Sequence, residues 1–326
     1  MPGAASGFVD LQVNGYGGIN FSSPELTVEQ VFSVTQQLYQ QGTLAFLPTV
    51  ITAPWSTYEQ VLPRLGQAIA ATAGSPRLLG IHLEGPYISA EDGARGVHPR
   101  AHVRLPSCAE FDALNQLANG QVRLLTLAPE LPGVRELIQH AVSLGVVVSL
   151  GHTMADSQAV RQAVQAGARA STHLGNGLPA LVHRHQNPLW PQLAQPGLAA
   201  MLITDGHHLP GDFVRTVMAA KGLRNTIVTS DVSPAGGLPP GEYEFFGVLT
   251  RLEVNGRLHS PQTGTLAGSA ATMLQCMNWL ASLEILDEAG LWAVGRDNPL
   301  RLLGLAPESL PGGPLQYTHG RFKLAK

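Results

Sequence analysis

At 326 residues, 44% of them hydrophobic and 13% charged, with mean hydropathy near zero, the chain has material for a large buried core and lacks the low-hydrophobicity, high-charge signature of disorder. Twenty basic against 23 acidic side chains leave a net charge of -3 and no basic run that could track a phosphate backbone, which argues against nucleic acid as a partner. The longest apolar stretch, around Leu144–Leu150, is far short of the roughly 18 residues of a membrane span, and residues 1–6 carry no basic leader, so the expectation is a cytoplasmic protein without a membrane partner.

In chain order, short β-branched or Leu-rich runs read as strands at Phe8–Val13, Ala45–Thr52, Leu78–Leu83, Val122–Leu127, Val146–Leu150, Ala170–Leu174, Ala199–Thr204 and Thr226–Thr229. Helical spacing lies between them at Thr27–Gln41, Thr57–Ala73, Ser107–Ala118, Gly133–Leu144, Ala155–Ala166 and Gly211–Ala220. Strands such as GVVVSL and NTIVTS are apolar on both faces, as in a parallel sheet wrapped by helices. Eight β-then-α units predict an α/β fold of the (β/α)8, TIM-like barrel type, with an open doubly wound sheet as the competing architecture. After Asp231 the pattern changes. Gly241–Val248 and Leu249–Leu258 read as a hairpin with a turn near Asn255 and Gly256, and helices are expected at Gly268–Ser282 and Glu284–Val294. The reading is one domain over residues 1–305, including hairpin 241–258 and helices 268–294, with a loosely ordered tail at 306–326.

Polar side chains gather where the strand candidates end: Asp10, Gln12 and Asn14; His82 and Glu84; His152; His173 and Asn176; Asp205, His207 and His208; Asp231. The carboxyl ends of all barrel strands meet at one face, so these residues converge although more than 200 positions separate the first from the last. Glu84, His152 and His173 supply one carboxylate and two imidazoles, a mixed oxygen and nitrogen set suited to zinc or ferrous iron with a position left open for water. Asp231 then serves as a base for that water or as a fourth ligand. His82 reads as a packed histidine, His183 and His185 as solvated, and Gly15, Gly17 and Gly18 as a tight turn. Cys108 and Cys276 stand in no ligand spacing and read as small buried hydrophobes. The only lysines, Lys221, Lys323 and Lys326, lie in no segment that reads as a strand, which disfavours a Schiff base or a lysine bridging two metals.

FVDLQVNGYGGINF at 8–21, GIHLEGPYIS at 80–89, RGVHP at 95–99, SLGHT at 149–153, STHLGNG at 171–177, ITDGHH at 203–208, TSDVSPAGG at 229–237 and GTLAGSAATM at 264–273 form an ordered series. It resembles that of the N-acetylglucosamine-6-phosphate deacetylase family, in the amidohydrolase superfamily of metal-dependent barrels. The match runs from Phe8 to about Leu305. The resemblance implies metal ligation by Glu84, His152 and His173, and a catalytic acid and base at Asp231. It places His98, beside Val97 in RGVHP, at the sugar and amide oxygen. Asn176 and Gly177 hold substrate, Gly177 standing where the family usually has alanine. Arg184 meets the phosphate, His208 reaches the phosphate of a neighbouring subunit, and Leu266, Ala267 and Gly268 form a substrate loop.

The implied reaction removes the acetyl group from N-acetylglucosamine 6-phosphate to give glucosamine 6-phosphate and acetate. It would use one divalent metal ion per chain, with zinc the first expectation and ferrous iron another, in a homodimer. The family's small β-sandwich is expected to be absent or vestigial. Hydrolysis of another N-acylated substrate without phosphate is the alternative within enzymes, and a non-catalytic barrel sensing sugar phosphates is the alternative outside them.

Overall fold

The structure is a computed structural model in which residues 6–72, 77–310 and 312–325 are described. Strands β1 (Phe8–Val13), β2 (Thr43–Ile51), β3 (Ile81–Glu84), β4 (Val122–Leu127), β5 (Val147–Leu150), β6 (Ala170–Ser171), β7 (Ala199–Ile203) and β8 (Thr226–Thr229) lie in sequence order in one parallel sheet. The two edges meet. Val13 bridges Val232, and the Asn14 amide donates to the Val232 carbonyl at 2.8 Å. Just below, the buried Asp10 carboxylate accepts from the Thr229 hydroxyl at 2.6 Å, from the Ser230 amide at 3.1 Å and from the Ser230 hydroxyl. The sheet is therefore the expected barrel, its seam held partly by a side chain.

Helices α1 (Val28–Gln40), α2 (Trp55–Ala71), α3 (Cys108–Leu117), α4 (Val134–Ser143), α5 (Ser157–Ala166), α6 (Leu189–Leu193) and α7 (Gly211–Lys221) follow the first seven strands. Their starts are set locally. Thr27 and Gln30 form a reciprocal capping box on α1, and Ser107 and Asp156 cap α3 and α5. The end expected for α2 at Ala73 lies outside the described residues. The helix that completes the eighth unit is α8 (Met273–Ser282), delayed by an insertion.

That insertion departs from the expected hairpin. It is a three-stranded meander, β9 (Gly241–Phe245), β10 (Val248–Leu252) and β11 (Leu258–His259), whose first turn falls at Phe246 and Gly247. Both turn residues have positive φ, 57° and 72°, and a phenylalanine there gives no turn signal in the sequence. The helix expected over 284–294 breaks into α9 (Glu288–Trp292), a π turn at Ala293–Asp297 and α10 (Asn298–Leu302). The tail is ordered rather than loose. Strands β12 (Leu315–Thr318) and β13 (Arg321–Leu324) pair, Ser6 bridges Leu315, and buried Phe322 packs its ring 4.8 Å from those of Phe8 and Trp292. Lys323 thus lies in a strand, outside the barrel. Cys276 is buried as expected, whereas Cys108 is half-buried.

The barrel is layered. Its floor is an apolar cluster that includes Val9, Leu11, Leu47, Leu124, Met201 and Ile227, with Leu300 and Leu310 in the same cluster. Above it runs a chain of buried polar contacts, Thr49 to His82 (3.2 Å), His82 to Thr126 (2.8 Å), Thr126 to Thr172 (2.7 Å) and Thr172 to Ser149 (2.6 Å). His82 is the packed histidine expected. Burial drives its pKa down to about 4, so it is neutral. The uppermost layer carries Glu84 and its neighbours. An irregularity in the β1–β2 register between Asp10 and Val13 accompanies the placement of Gln12 and Asn14 beside the carboxylates of this upper layer.

Candidate active site

Glu84 ends β3, and its Oε1 lies 3.1 Å from His152 Nε2 and 3.0 Å from His173 Nε2, the two nitrogens being 3.1 Å apart. Gln12 Nε2 donates to the same oxygen at 2.8 Å. His98 stands further out, its Nε2 3.7 Å from Glu84 Oε2, although Glu84, His98 and His152 also bring donor atoms within 4.8 Å of one another. Backbone geometry aims these groups. Among the described residues seven non-glycines have positive φ, and three of them are His152 (50°), His173 (30°) and Asp231 (51°). Each sits just past a strand, where a turn into the left-handed region swings the side chain inward at a cost of about 1 kcal/mol or more. This turn also shortens β6 relative to the expected 170–174.

The donor set fits a divalent cation. His152 Nδ1 faces the Ala94 carbonyl at 2.8 Å; a carbonyl only accepts, so Nδ1 carries the proton and a neutral ring leaves Nε2 a lone pair. The bare His152 Nε2 and the Glu84 carboxylate oxygen, 3.1 Å apart with His173 Nε2 equally close to both, repel one another unless positive charge lies between them. Tetrahedral ligands at about 2.0–2.1 Å from zinc would stand about 3.3 Å apart. Without an ion, burial alone would lift the Glu84 carboxyl, but protons on the facing His152 and His173 rings, occupying the place of the cation, outweigh it and hold it well below the usual carboxylate range. Asp231 is the opposite case. Burial, reinforced by the Glu84 charge, holds it well above that range, while Asn14 Nδ2 donates to its Oδ1 at 2.7 Å.

These groups open into a cavity of about 220 Å³. Of the residues named from sequence, Glu84, Val97, His98, His152, His173, Asn176, Gly177, His208, Asp231, Leu266, Ala267 and Gly268 all line it. Arg184 does not. It sits on an exposed loop whose backbone carbonyl accepts from Trp190 Nε1 at 2.8 Å. His183 and His185 are exposed there too. His208 faces the cavity of its own chain, with Nδ1 donating to Asp205 Oδ2 at 2.7 Å. Burial would raise Asp205, yet the hydrogen bonds from His208 and the His207 amide bring it down to about 2. At Gly177 (φ 62°) a Cβ would lie 3.0 Å from His152 Nδ1 and 3.1 Å from His173 Cε1, so an alanine here would press on both rings. Gly17 and Gly18 form the expected turn between Gly15–Tyr16 and Ile19–Asn20.

Four participants were not singled out from the sequence. Thr52 Oγ1 lies 2.9 Å from His98 Nδ1, Ala94 offers its carbonyl to His152, and Ile51 and Phe246 form part of the cavity wall. Thr52 is the last residue of the strand expected at Ala45–Thr52 and directly follows the observed β2, which is the only local hint. Burial, with His152 close by, lowers His98 to about 3, so this ring is neutral.

No family model matches the chain. Individual proteins do. The chain is 34% identical over 323 residues to the N-acetylglucosamine-6-phosphate deacetylase of Bos taurus, covering 92% of this chain and 74% of that one. It is 35% identical over 279 residues to the N-acetylgalactosamine-6-phosphate deacetylase of Shewanella sp. strain ANA-3, covering 85% and 68%. Among solved structures, the N-acetyl-D-glucosamine-6-phosphate deacetylase of Mycobacterium smegmatis in complex with N-acetyl-D-glucosamine-6-phosphate superposes with a TM-score of 0.86. That pair is 26% identical and the superposition covers 98% of this chain and 86% of that one.

Proposed function

The chain belongs to the N-acetylglucosamine-6-phosphate deacetylase family, and from that premise we propose that it hydrolyses N-acetylglucosamine 6-phosphate to glucosamine 6-phosphate and acetate. The observation that carries the reading is the convergence of Glu84, His152, His173 and Asp231 in one cavity. Glu84, His152 and His173 hold one divalent ion, zinc by the nitrogen and oxygen donor set. When bound, such an ion polarises the amide and brings a water's pKa from about 15.7 to roughly 7.

The rest is the work of the chain. Asn14 engages Asp231 Oδ1, which leaves Oδ2 to take the proton of the attacking water and return it to the departing nitrogen. A Thr52 hydroxyl donating to His98 Nδ1 leaves the neutral His98 Nε2–H to donate to the oxyanion. Asp205 orients His208, and with Asn176 and Gly177 it forms the polar side of the cavity on which the sugar phosphate lies. Arg184 remains a candidate phosphate partner, its exposed position requiring the loop or a second chain to bring it close.

A homodimer is part of the proposal, on a footing other than His208. Leu181 and Trp190, 92% and 51% exposed, present apolar surface on the loop that carries Arg184. Two free thiols suit a reducing compartment such as the cytoplasm; none of the described helices is long and apolar enough to cross a membrane. The 35% identity to an N-acetylgalactosamine-6-phosphate enzyme supports a second reading, in which the sugar differs at one hydroxyl.

The test is acetate release from both sugar phosphates by zinc-loaded protein. The Asp231→Asn variant is expected to lose at least a thousandfold in kcat with metal content near wild type. Turnover retained by that variant removes Asp231 from its role, and absence of acetate from either sugar removes the reaction.

A further inference from the structure

The wall of the cavity opposite the polar side contains a residue in a costly conformation. A two-residue hairpin turn with both residues at positive φ favours Asn-Gly or Asp-Gly, yet the turn between β9 and β10 is Phe246–Gly247, with Phe246 at φ 57°. A bulky side chain held there points to something gained elsewhere. The Phe246 side chain lines the 220 Å³ cavity and also a neighbouring groove of about 370 Å³, and Ile51 is shared between the two in the same way. The groove beyond carries Asn20, Ser22, Thr57 and His102. Phe246 and Ile51 are thus the partition between a small cavity holding the reacting groups and a larger, open space.

The ring of strands says which part of the substrate meets this partition. Ile51 ends β2, and Asn176 and Gly177 follow β6, four places away in a ring of eight. Their loops face each other across the mouth. If the sugar phosphate lies on the Asn176, Gly177 and His208 side and the amide carbon sits at Glu84, His152, His173 and Asp231, the acyl substituent extends toward β2. Building on the proposed deacetylase reading, we infer that Phe246, with Ile51, is the specificity-determining residue that limits the acyl group to about the size of acetyl. Removing its ring joins the cavity to the groove and admits longer acyl chains. The chemistry is the same for any chain length: water adds to the carbonyl carbon, the carbon–nitrogen bond breaks, and the products are the carboxylate and the protonated amine.

The experiment measures amine release from N-acetyl-, N-propionyl- and N-butyryl-glucosamine 6-phosphate by the zinc-loaded wild type and by the Phe246→Ala and Phe246→Leu variants, with thermal melts of each. Each added methylene in a closed apolar pocket is worth about tenfold or more in kcat/KM. The wild type is therefore expected to fall steeply along the series. Phe246→Ala should raise the butyryl-to-acetyl ratio of kcat/KM at least tenfold, with Phe246→Leu between. Mere loosening of the hairpin would lower all three substrates together and leave the ratio unmoved, and that result in variants melting near wild type overturns the inference while leaving the deacetylase reading intact. A wild type that releases no amine from the N-acetyl compound overturns the deacetylase reading, and the inference falls with it.

Discussion

Gln12 and Asn14 show how much one substitution type decides at a metal site. Both direct their amide nitrogens at carboxylates, Gln12 at Glu84 and Asn14 at Asp231, and both leave the amide oxygen buried without a hydrogen-bond partner. A carboxamide oxygen is a far weaker ligand for a borderline ion than imidazole nitrogen. Their position at the end of β1 thus holds the two carboxylates in place without furnishing a second ion site. Elemental analysis after exhaustive dialysis is expected to return one equivalent of metal per chain, and two retained equivalents would falsify this assignment of the two amides. The convergence of Glu84, His152 and His173 was readable from sequence, because residues at the carboxyl ends of barrel strands meet at one face. Their aim was not readable, since it depends on left-handed φ values at His152 and His173, which no residue preference for histidine announces.

At the level of elements, the seam between β1 and β8 is the joint on which closure depends. Asp10 accepts from Thr229, Ser230 and the Gln12 amide, and Asp231 follows Ser230 directly. Asp10→Ala leaves several buried donors without acceptors, each costing about 1–3 kcal/mol, so denaturant unfolding is expected to show a loss of about 3 kcal/mol or more. A variant as stable as wild type would mean that backbone pairing alone closes the barrel. Strand identity was largely legible: Phe8–Val13, Val122–Leu127 and Thr226–Thr229 fall where the apolar runs place them, because strands buried on both faces are continuous apolar segments. The two hairpins were harder. Phe246 occupies a turn position that sequence preference assigns to Asn or Asp. The tail turn, His319 and Gly320 at φ 52° and 77°, did carry a glycine signal between QYT and RFK, but the segment is too short to show a period of two on its own.

Over the whole molecule, the two ends of the described chain are drawn together: Ser6 pairs with Leu315, and Phe8, Trp292 and Phe322 share one aromatic cluster. The 98% coverage of this chain in the superposition on the Mycobacterium smegmatis enzyme shows that this tail belongs to the shared framework. Against that well-packed frame, Asp231 is a liability. Its carboxylate is buried beside that of Glu84. The folded-state pKa is raised above the unfolded value of about 3.9, so the penalty is absent below that pH and grows as pH rises through it. Chelator-treated Asp231→Asn protein should therefore melt above chelator-treated parent at pH 8, with the gap closing toward pH 4, and a parent that melts higher at pH 8 would contradict this. Bound metal favours the carboxylate and should erase the difference. The residue proposed as acid and base would then be one that lowers the heat resistance of the protein, and a screen for thermostable mutants of the metal-free protein would select substitutions that the proposed reaction cannot tolerate.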